Sequence, residues 1–276
     1  MMKICVFGAS GYVGATVYEK LKHASEADVV GTYLKEPALF DDLYKLDVNE
    51  PESFSNFFKS EKPDVVVWAV MSGPNEHKLT DQGLMHLLTH LTPQTKLVYI
   101  SSDFVFSHGD GPYSEEDPLS TLPDDHSFSN YANGKVKAER LIDNEFSNYV
   151  ILRAGPIYGE NAVGKLDDRT DRLSYHLRST KPIDFRDDLT RSFVHIEDLT
   201  NVLEEMVFNN VTGVYHVGPE KKQSFYDFMK ATARQMGYDE TLVIKGSEEE
   251  EIDTEIPKDT SLITDKIKEV TNQRFR

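Results

Sequence analysis

The run KICVFGASGYVG (3–14) constrains this chain more than any other stretch. A short apolar strand pattern, KICVF, ends on three glycines, Gly8, Gly11 and Gly14, and the helix-period segment VYEKLKHA follows. Glycines so placed permit a tight turn, close approach of backbone N–H groups to a pyrophosphate, and close helix–strand packing. The helix N-terminus then faces negative charge. Strand, glycine turn and helix in that order open a βαβ unit, and parallel strands need such crossovers.

The pattern repeats. DVVGTYL (28–34), YKLDV (44–48), DVVVWAV (64–70), TKLVYISS (95–102) and YVILRAG (149–155) read as strands. PESFSNFFKSEKP, GLMHLLTHL and YANGKVKAERLIDNEF read as helices between them. The nearly continuous apolar run at 64–70 fits a strand buried on both faces. This alternation predicts an α/β fold: a doubly wound parallel sheet of Rossmann type, with helices on both faces. After Pro156 the alternation breaks down. Residues 159–190 are polar and charged, GVYHVG (213–218) is a later strand, and SFYDFMKATARQMG is an amphipathic helix with Ser224 at its N-cap. We therefore expect a Rossmann domain of residues 1–155 with 191–218. A smaller, discontinuous substrate-binding lobe would comprise 156–190 with 219–276.

Thirty Lys and Arg against 47 Asp and Glu leave a net charge of −17. That balance argues against nucleic-acid and anionic-membrane partners, which need basic surface, while an anionic small substrate needs only a few placed cations. The most acidic stretch, GSEEEEIDTE (246–255), reads as a solvated loop. No apolar run approaches the roughly 18–20 residues of a membrane span. The amino terminus lacks the pattern of a signal peptide. The single cysteine, Cys5, lies inside the first apolar run, excludes an internal disulfide and reads as a buried, inert thiol. A cytoplasmic location is the expectation. His86 and His90 stand four apart, a spacing that can hold zinc, but with no third ligand evident they read as a helix surface and no metal is expected.

Three Tyr–Lys pairs stand four residues apart: Tyr18/Lys22, Tyr131/Lys135 and Tyr226/Lys230. On a helix each would share one face. Position separates them. TKLVYISS carries Ser101, Ser102 and then Asp103 to a strand end, where ligands sit in a doubly wound sheet. Tyr131/Lys135 opens the next helix. Neither other pair follows a hydroxyl-bearing strand end. Ketone reduction needs hydride on carbon and a proton on oxygen. A tyrosine of pKa about 10 is a reluctant participant until a neighbouring ammonium stabilises its phenolate. Tyr131 is thus the candidate general acid, Lys135 its tuning partner, and Ser102 the group that orients the carbonyl.

These residues, with ILRAGPIYGE (151–160), RSFVHIEDL (191–199) and GVYHVG, resemble the extended short-chain dehydrogenases/reductases over nearly the whole chain. YISSDFVF, GPYSEEDPL and PKDTSLITDKI are most similar to the dTDP-4-dehydrorhamnose reductase branch. The resemblance implies an NAD(P)H-dependent reductase of a keto group on a nucleotide-activated sugar, with Ser102, Tyr131 and Lys135 catalytic. It implies cofactor contacts from Gly8, Ser10, Gly11, Tyr12, Val13 and Gly14, then Lys35, Asp47, Val48, Ala69 and Val70, with Tyr131 and Lys135 beside the nicotinamide. Asp103, Arg153 and Arg191 would face the substrate, although an Arg–Asp bridge within FRDDLTRSF equally explains Arg191. His195 and Asp198 read as structural.

The second strand ends GTYLKEP with no acid for a ribose hydroxyl and with Lys35 nearby. NADP(H) is therefore slightly favoured over NAD(H), and Lys35 is equally readable as a solvated loop residue. Dehydratases of the wider family place Asp-Glu after the catalytic Thr. Here Ser102 is followed by Asp103 and Phe104, which favours reduction. WAVMSG (68–73) stands where relatives carry Asn-Ala-Ala, putting Trp68 near the cofactor wall. The two-helix face common in the family implies a homodimer. The regulatory beta subunit of methionine adenosyltransferase resembles the same reductases, and a non-catalytic NADP(H)-binding regulatory subunit is the alternative.

Overall fold

The computed structural model of the chain describes residues 1–24, 27–35, 40–246 and 256–276. Most of the acidic stretch (247–255) lies outside the described residues. β1 (Met2–Phe7) passes through the glycine turn into α1 (Tyr12–Lys22), then β2 (Ala27–Tyr33) and the two-residue β3 (Tyr44–Lys45). α2 (Pro51–Ser60) leads to β4 (Val65–Trp68). A helical stretch follows: α3 (Glu76–Lys78), a π-helical segment Leu79–Leu84, and α4 (Met85–His90). β5 (Lys96–Ser102), α5 (Ser129–Glu145) and β6 (Tyr149–Ala154) complete the alternating half.

Beyond it come β7 (Ile157–Tyr158), α6 (Asp168–Arg178), β8 (Ile183–Phe185), β9 (Thr190–Arg191), β10 (Val194–His195) and α7 (Ile196–Phe208). β11 (Gly213–Val217), β12 (Gln223–Ser224), α8 (Phe225–Gln235), β13 (Val243–Lys245) and α9 (Asp265–Lys268) end the chain.

Seven strands form one parallel sheet in the order β11-β6-β5-β4-β1-β2-β3. The fold is therefore the doubly wound Rossmann-type sheet that the alternation predicts. Its order reverses between β1 and β4, and ligands bind at the carboxyl ends of strands beside such a switch point. Alternation along each strand divides the core. Ile4, Val6, Val65, Val67 and Val98 face α1 and α7, whereas Cys5, Phe7, Val66, Trp68 and Tyr99 face the other layer. All four residues of β4 are buried, as a strand covered on both faces requires. The Cys5 thiol is buried and pushed up to about 12, chiefly by desolvation, so it is inert.

Trp68 corrects an expectation. It is 1% exposed and stacks on Phe7 at 5.7 Å in the α2 layer, so it fills the core rather than walling a cofactor. A third apolar cluster gathers α6, α8, β8 and β13 around Leu173, Phe193, Phe228 and Met229. Ser224 caps α8, accepting the Asp227 N–H at 3.0 Å. Ile267 on α9, in the smaller lobe of the expected division, belongs to the first cluster, with α9 lying against β11.

One buried polar network ties β6, α5 and β11. Arg153 Nε and Nη2 donate to the Glu139 carboxylate at 2.8–3.1 Å, Ser101 donates to the same carboxylate, and Arg153 Nη1 donates to His216 Nε2 at 3.3 Å. Burial and the Arg153 charge push His216 down to about 3, so it is neutral. Removing one partner of a buried ion pair strands the other charge. Glu139→Ala is expected to lower the unfolding free energy by about 3–5 kcal/mol in urea denaturation. A loss below ~1 kcal/mol would show that the network is not structural.

Candidate active site

The glycine turn sits at the carboxyl end of β1. Gly8 has φ +84°, and a Cβ there would lie 3.1 Å from the backbone of Ala69 and Val70, which follow β4. A Cβ on Gly14 would stand 2.1 Å from the Gly8 carbonyl oxygen, an impossible contact. The loop thus closes onto α1 only with glycine at both places. Gly11 is the N-cap of α1 and offers no side-chain cap, and the first turn holds no acid. The N–H groups of Tyr12, Val13 and Gly14 consequently lack helical acceptors, which is the donor set a pyrophosphate takes. The residues present fit a dinucleotide.

The other residues expected at a cofactor are dispersed in role. The Tyr12 hydroxyl donates to the Gly159 carbonyl at 2.6 Å, and Asn161 Nδ2 donates to the Tyr12 carbonyl at 3.2 Å, so the loop is strapped to the segment after β7. Val13 packs against the first core cluster. Ser10 is half-buried in the turn. Lys35 is exposed just beyond β2. Asp47 accepts the Asn49 N–H at 2.9 Å and forms a turn after β3, with Val48 buried beside it in the α2 layer. Thr32, which the motifs did not single out, receives the Gly8 N–H on its hydroxyl at 3.2 Å.

The Tyr131–Lys135 pair lies across the switch point on α5. Lys135 is 3% exposed, and its Nζ has three neighbours: the Tyr99 hydroxyl at 3.2 Å, the Ile100 carbonyl at 3.2 Å and Glu76 Oε1 at 3.0 Å. Burial opposes its charge, but the Tyr99, Glu76 and Tyr131 oxygens outweigh that and hold the ammonium above the ordinary lysine range. Tyr131 sits with its ring centroid 6.0 Å from Lys135 Nζ, edge-on to Phe104. Burial pushes its phenol up. Lys135 and a Ser102 hydrogen bond pull it down without cancelling the burial, and Glu76 and Asp103 push it further up. Ser102 Oγ accepts the Phe104 N–H at 3.2 Å and donates to Asp103 Oδ1 at 3.1 Å. Ser102, Tyr131 and Lys135 therefore come together at the end of β5.

The other two Tyr–Lys pairs go elsewhere. Lys22 lies over Tyr18 and bridges Asp42 on the outer surface. Lys230 donates directly to the Tyr226 hydroxyl at 3.1 Å, a closer pair than Tyr131/Lys135, but on α8 in the third cluster. Distance between partners alone would single out Tyr226/Lys230, which lies away from the carboxyl ends of the sheet strands.

Three residues expected at the substrate are turned inward. Asp103 is 2% exposed, accepts the Thr260 hydroxyl and faces Arg191 Nε at 3.6 Å. Arg191 is 1% exposed and donates to the carbonyls of Thr190, Lys258 and Pro257 at 2.7–3.1 Å, so it clasps residues 257 and 258. Its bridge is to Asp103, not to the aspartates of its own segment. Arg153 belongs to the Glu139 network above. A strand-end Asp and two Arg look like ligand-binding groups in one dimension because nothing there shows their mutual partners.

His195 accepts the Glu197 N–H at 3.2 Å as the cap of α7, and Asp198 accepts from Gln273 and Arg276. His86 and His90 pack against Phe54 and, for His90, Phe58. No cluster of three His, Cys, Asp or Glu fit to hold a metal exists among the described residues. A groove of about 560 Å³ between Tyr158, Phe193, Phe228 and Arg274–Arg276 touches none of Ser102, Tyr131 and Lys135.

A doubly wound sheet with a glycine turn at its switch point and a Ser/Tyr/Lys group across it defines a Rossmann-type protein of the extended short-chain dehydrogenase/reductase group. Residues 4–218 match the NAD dependent epimerase/dehydratase family, and the chain belongs to it. Among curated proteins it is similar to the spore coat polysaccharide biosynthesis protein SpsK of Bacillus subtilis, 25% identical over 261 residues, covering 91% of this chain and 84% of that one. It is also similar to methionine adenosyltransferase 2 subunit beta of Mus musculus, 23% identical over 252 residues, covering 84% and 71%.

Among solved structures, a hypothetical dTDP-4-dehydrorhamnose reductase from Sulfolobus tokodaii superposes with TM-score 0.83 at 19% identity, covering 99% and 96%. The dTDP-4-dehydrorhamnose reductase of Bacillus anthracis, in complex with NADP, does so with TM-score 0.82 at 18% identity, covering 100% and 95%. These likenesses establish the fold.

Gly14→Ala places a methyl where the Gly8 carbonyl stands. It is expected to weaken NADPH and NADH binding at least about tenfold, or ~1.4 kcal/mol, by calorimetry. Unchanged affinity would remove the loop from the binding site.

Proposed function

We propose that the protein is an NAD(P)H-dependent reductase acting on a keto group of a nucleotide-activated sugar, with Tyr131 as proton donor. The observation that carries the reading is the convergence of Ser102, Tyr131 and Lys135 at the end of β5, across the switch point from an uncapped α1 N-terminus. Membership of the family and similarity to dTDP-4-dehydrorhamnose reductases and to a polysaccharide biosynthesis protein support the substrate class. NADP(H) is slightly favoured on the strength of the strand-end sequence around Lys35. Two buried arginines are already committed inside the protein, so a substrate diphosphate is met by other groups than Arg153 and Arg191.

Bound reduced nicotinamide supplies hydride to the carbonyl carbon. The chain's residues handle the other half of the reaction. Ser102 Oγ donates to the carbonyl oxygen and orients it. The carbonyl π pair moves to oxygen, Tyr131 delivers its phenolic proton there, and the resulting phenolate is stabilised by Lys135 until solvent reprotonates it. A phenol held protonated by burial suits the donating direction.

A second reading has its own observation. The Lys135 ammonium is engaged within the protein by two hydrogen bonds and an ion pair, so meeting a nicotinamide ribose requires rearrangement. That arrangement, with the similarity to a methionine adenosyltransferase subunit, supports a cofactor-binding regulatory subunit that performs no chemistry. One assay separates the two. The protein is mixed with NADPH and a panel of nucleotide 4-keto-6-deoxy sugars, and the loss of reduced-nicotinamide absorbance is followed. Turnover that falls about 10²–10⁴-fold in Tyr131→Phe is the expected result. Tight cofactor binding without turnover, with a co-purifying partner, selects the regulatory reading.

A further inference from the structure

Lys135 is held by a residue about which the Tyr–Lys spacing says nothing. Glu76 opens α3 and is 1% exposed, one of the few carboxylates in the interior. Both its oxygens have set partners: Oε2 accepts the Ser72 N–H at 2.7 Å and Oε1 faces Lys135 Nζ at 3.0 Å. The backbone is shaped to bring it there. A Cβ on Gly134 would stand 2.8 Å from Glu76 Cβ and 2.9 Å from its carbonyl carbon, so α3 rests directly on the turn of α5 between Tyr131 and Lys135. The Thr80 hydroxyl, in the π-helical segment after α3, donates to the Gly134 carbonyl at 3.2 Å and holds the two together. π-Helical turns recur at functional sites.

The charges around the pair can be accounted for element by element. β5 contributes Tyr99, whose phenol burial pushes up, together with Ser102. α3 contributes Glu76. The turn after β5 contributes Asp103, itself faced by Arg191 at 3.6 Å. α5 contributes Lys135, and Glu139 one turn on, which is bound to Arg153. Each buried carboxylate therefore has its cation, and the cation of Glu76 is Lys135. A lysine stabilises a neighbouring phenolate by its field, and a carboxylate 3.0 Å from the same ammonium offsets that field at the phenol oxygen.

We propose that Glu76 is a positioning residue of this site: it anchors the Lys135 ammonium, offsets its charge at Tyr131, and thereby keeps the Tyr131 phenol protonated and set to donate. The inference rests on the reading of Tyr131 as the proton donor and assigns that reading a direction. Reduction needs the phenol and is lost as pH rises through its titration. The reverse oxidation needs the phenolate and grows over the same range. Neutralising Glu76 leaves Lys135 unopposed, so Tyr131 titrates at lower pH. The alkaline limit of reduction then moves down, and oxidation begins at lower pH.

The test is a titration of Tyr131 in the full chain without cofactor or substrate, by NMR of protein carrying ¹³Cζ-tyrosine. The Tyr131 signal is assigned by its absence from Tyr131→Phe. In the native protein it is expected to ionise above the ordinary tyrosine range. In Glu76→Gln it should ionise at lower pH than native, and in Glu76→Asp, which keeps the charge, it should stay above the Gln variant. A native Tyr131 that ionises at or below the ordinary range overturns the proposal, as does a Glu76→Gln titration that is unmoved or raised. Should Glu76→Gln not fold, Glu76→Asp takes its place: its shorter carboxylate stands farther from Lys135, so Tyr131 is expected to ionise at lower pH than native, and an unmoved or raised titration overturns the proposal. Turnover is read separately. A shift of Tyr131 in a protein that reduces no carbonyl ends the reductase reading and leaves the Glu76 effect standing. Reduction with an unmoved Tyr131 ends only the Glu76 proposal.

Discussion

Everything in this molecule hangs on a parallel sheet covered on both faces. Parallel strands satisfy their backbone groups only through one another, and their crossovers put helices on each side. The alternation of Ile4 and Val6 with Cys5 and Phe7 sends half of each strand's side chains to α1 and α7 and half to the opposite layer. Once β1, β4, β5 and β6 lie side by side in one direction, their carboxyl ends share an edge. Gly8, Ala69, Ser102 and Ala154 then become neighbours across long stretches of sequence. The candidate site is a consequence of that shared edge.

A second regularity concerns charge. The chain carries a net −17, yet the interior near this edge is organised around single cation–carboxylate pairs: Lys135 with Glu76, Arg153 with Glu139, Arg191 with Asp103. Burying such pairs costs desolvation that their attraction only partly offsets, so they are poor devices for stability alone. Their effect here is geometric. Each cation is fixed by several partners at once, and each links elements distant in sequence. Arg191 in particular joins the end of β5, through Asp103, to residues 257 and 258 near the carboxy terminus.

The relatives span nearly the whole chain at a quarter identity or less, which conserves a fold without dictating its chemistry. Trp68 fills a core position, and the cations nearest the site are spent on internal partners.

The sequence by itself determined the doubly wound fold and the glycine turn, and its order along the chain set Tyr131/Lys135 apart from two other pairs. These rest on local periodicity, backbone freedom and order along the chain, which a one-dimensional pattern carries. The cap at Ser224 and the inert Cys5 were legible for the same reason. The partnerships were not. No motif marks Glu76 in SGPNEHKL, and Asp103, Arg153 and Arg191 read as ligand-binding groups. Only the packing of α3 on Gly134, of α5 on β5 and β6, and of residues 257–260 against Arg191 decided which charges face one another. Burial and pairing are properties of contacts between segments 14 to 157 residues apart, and the energy of a buried charge depends on those contacts rather than on its neighbours in the chain.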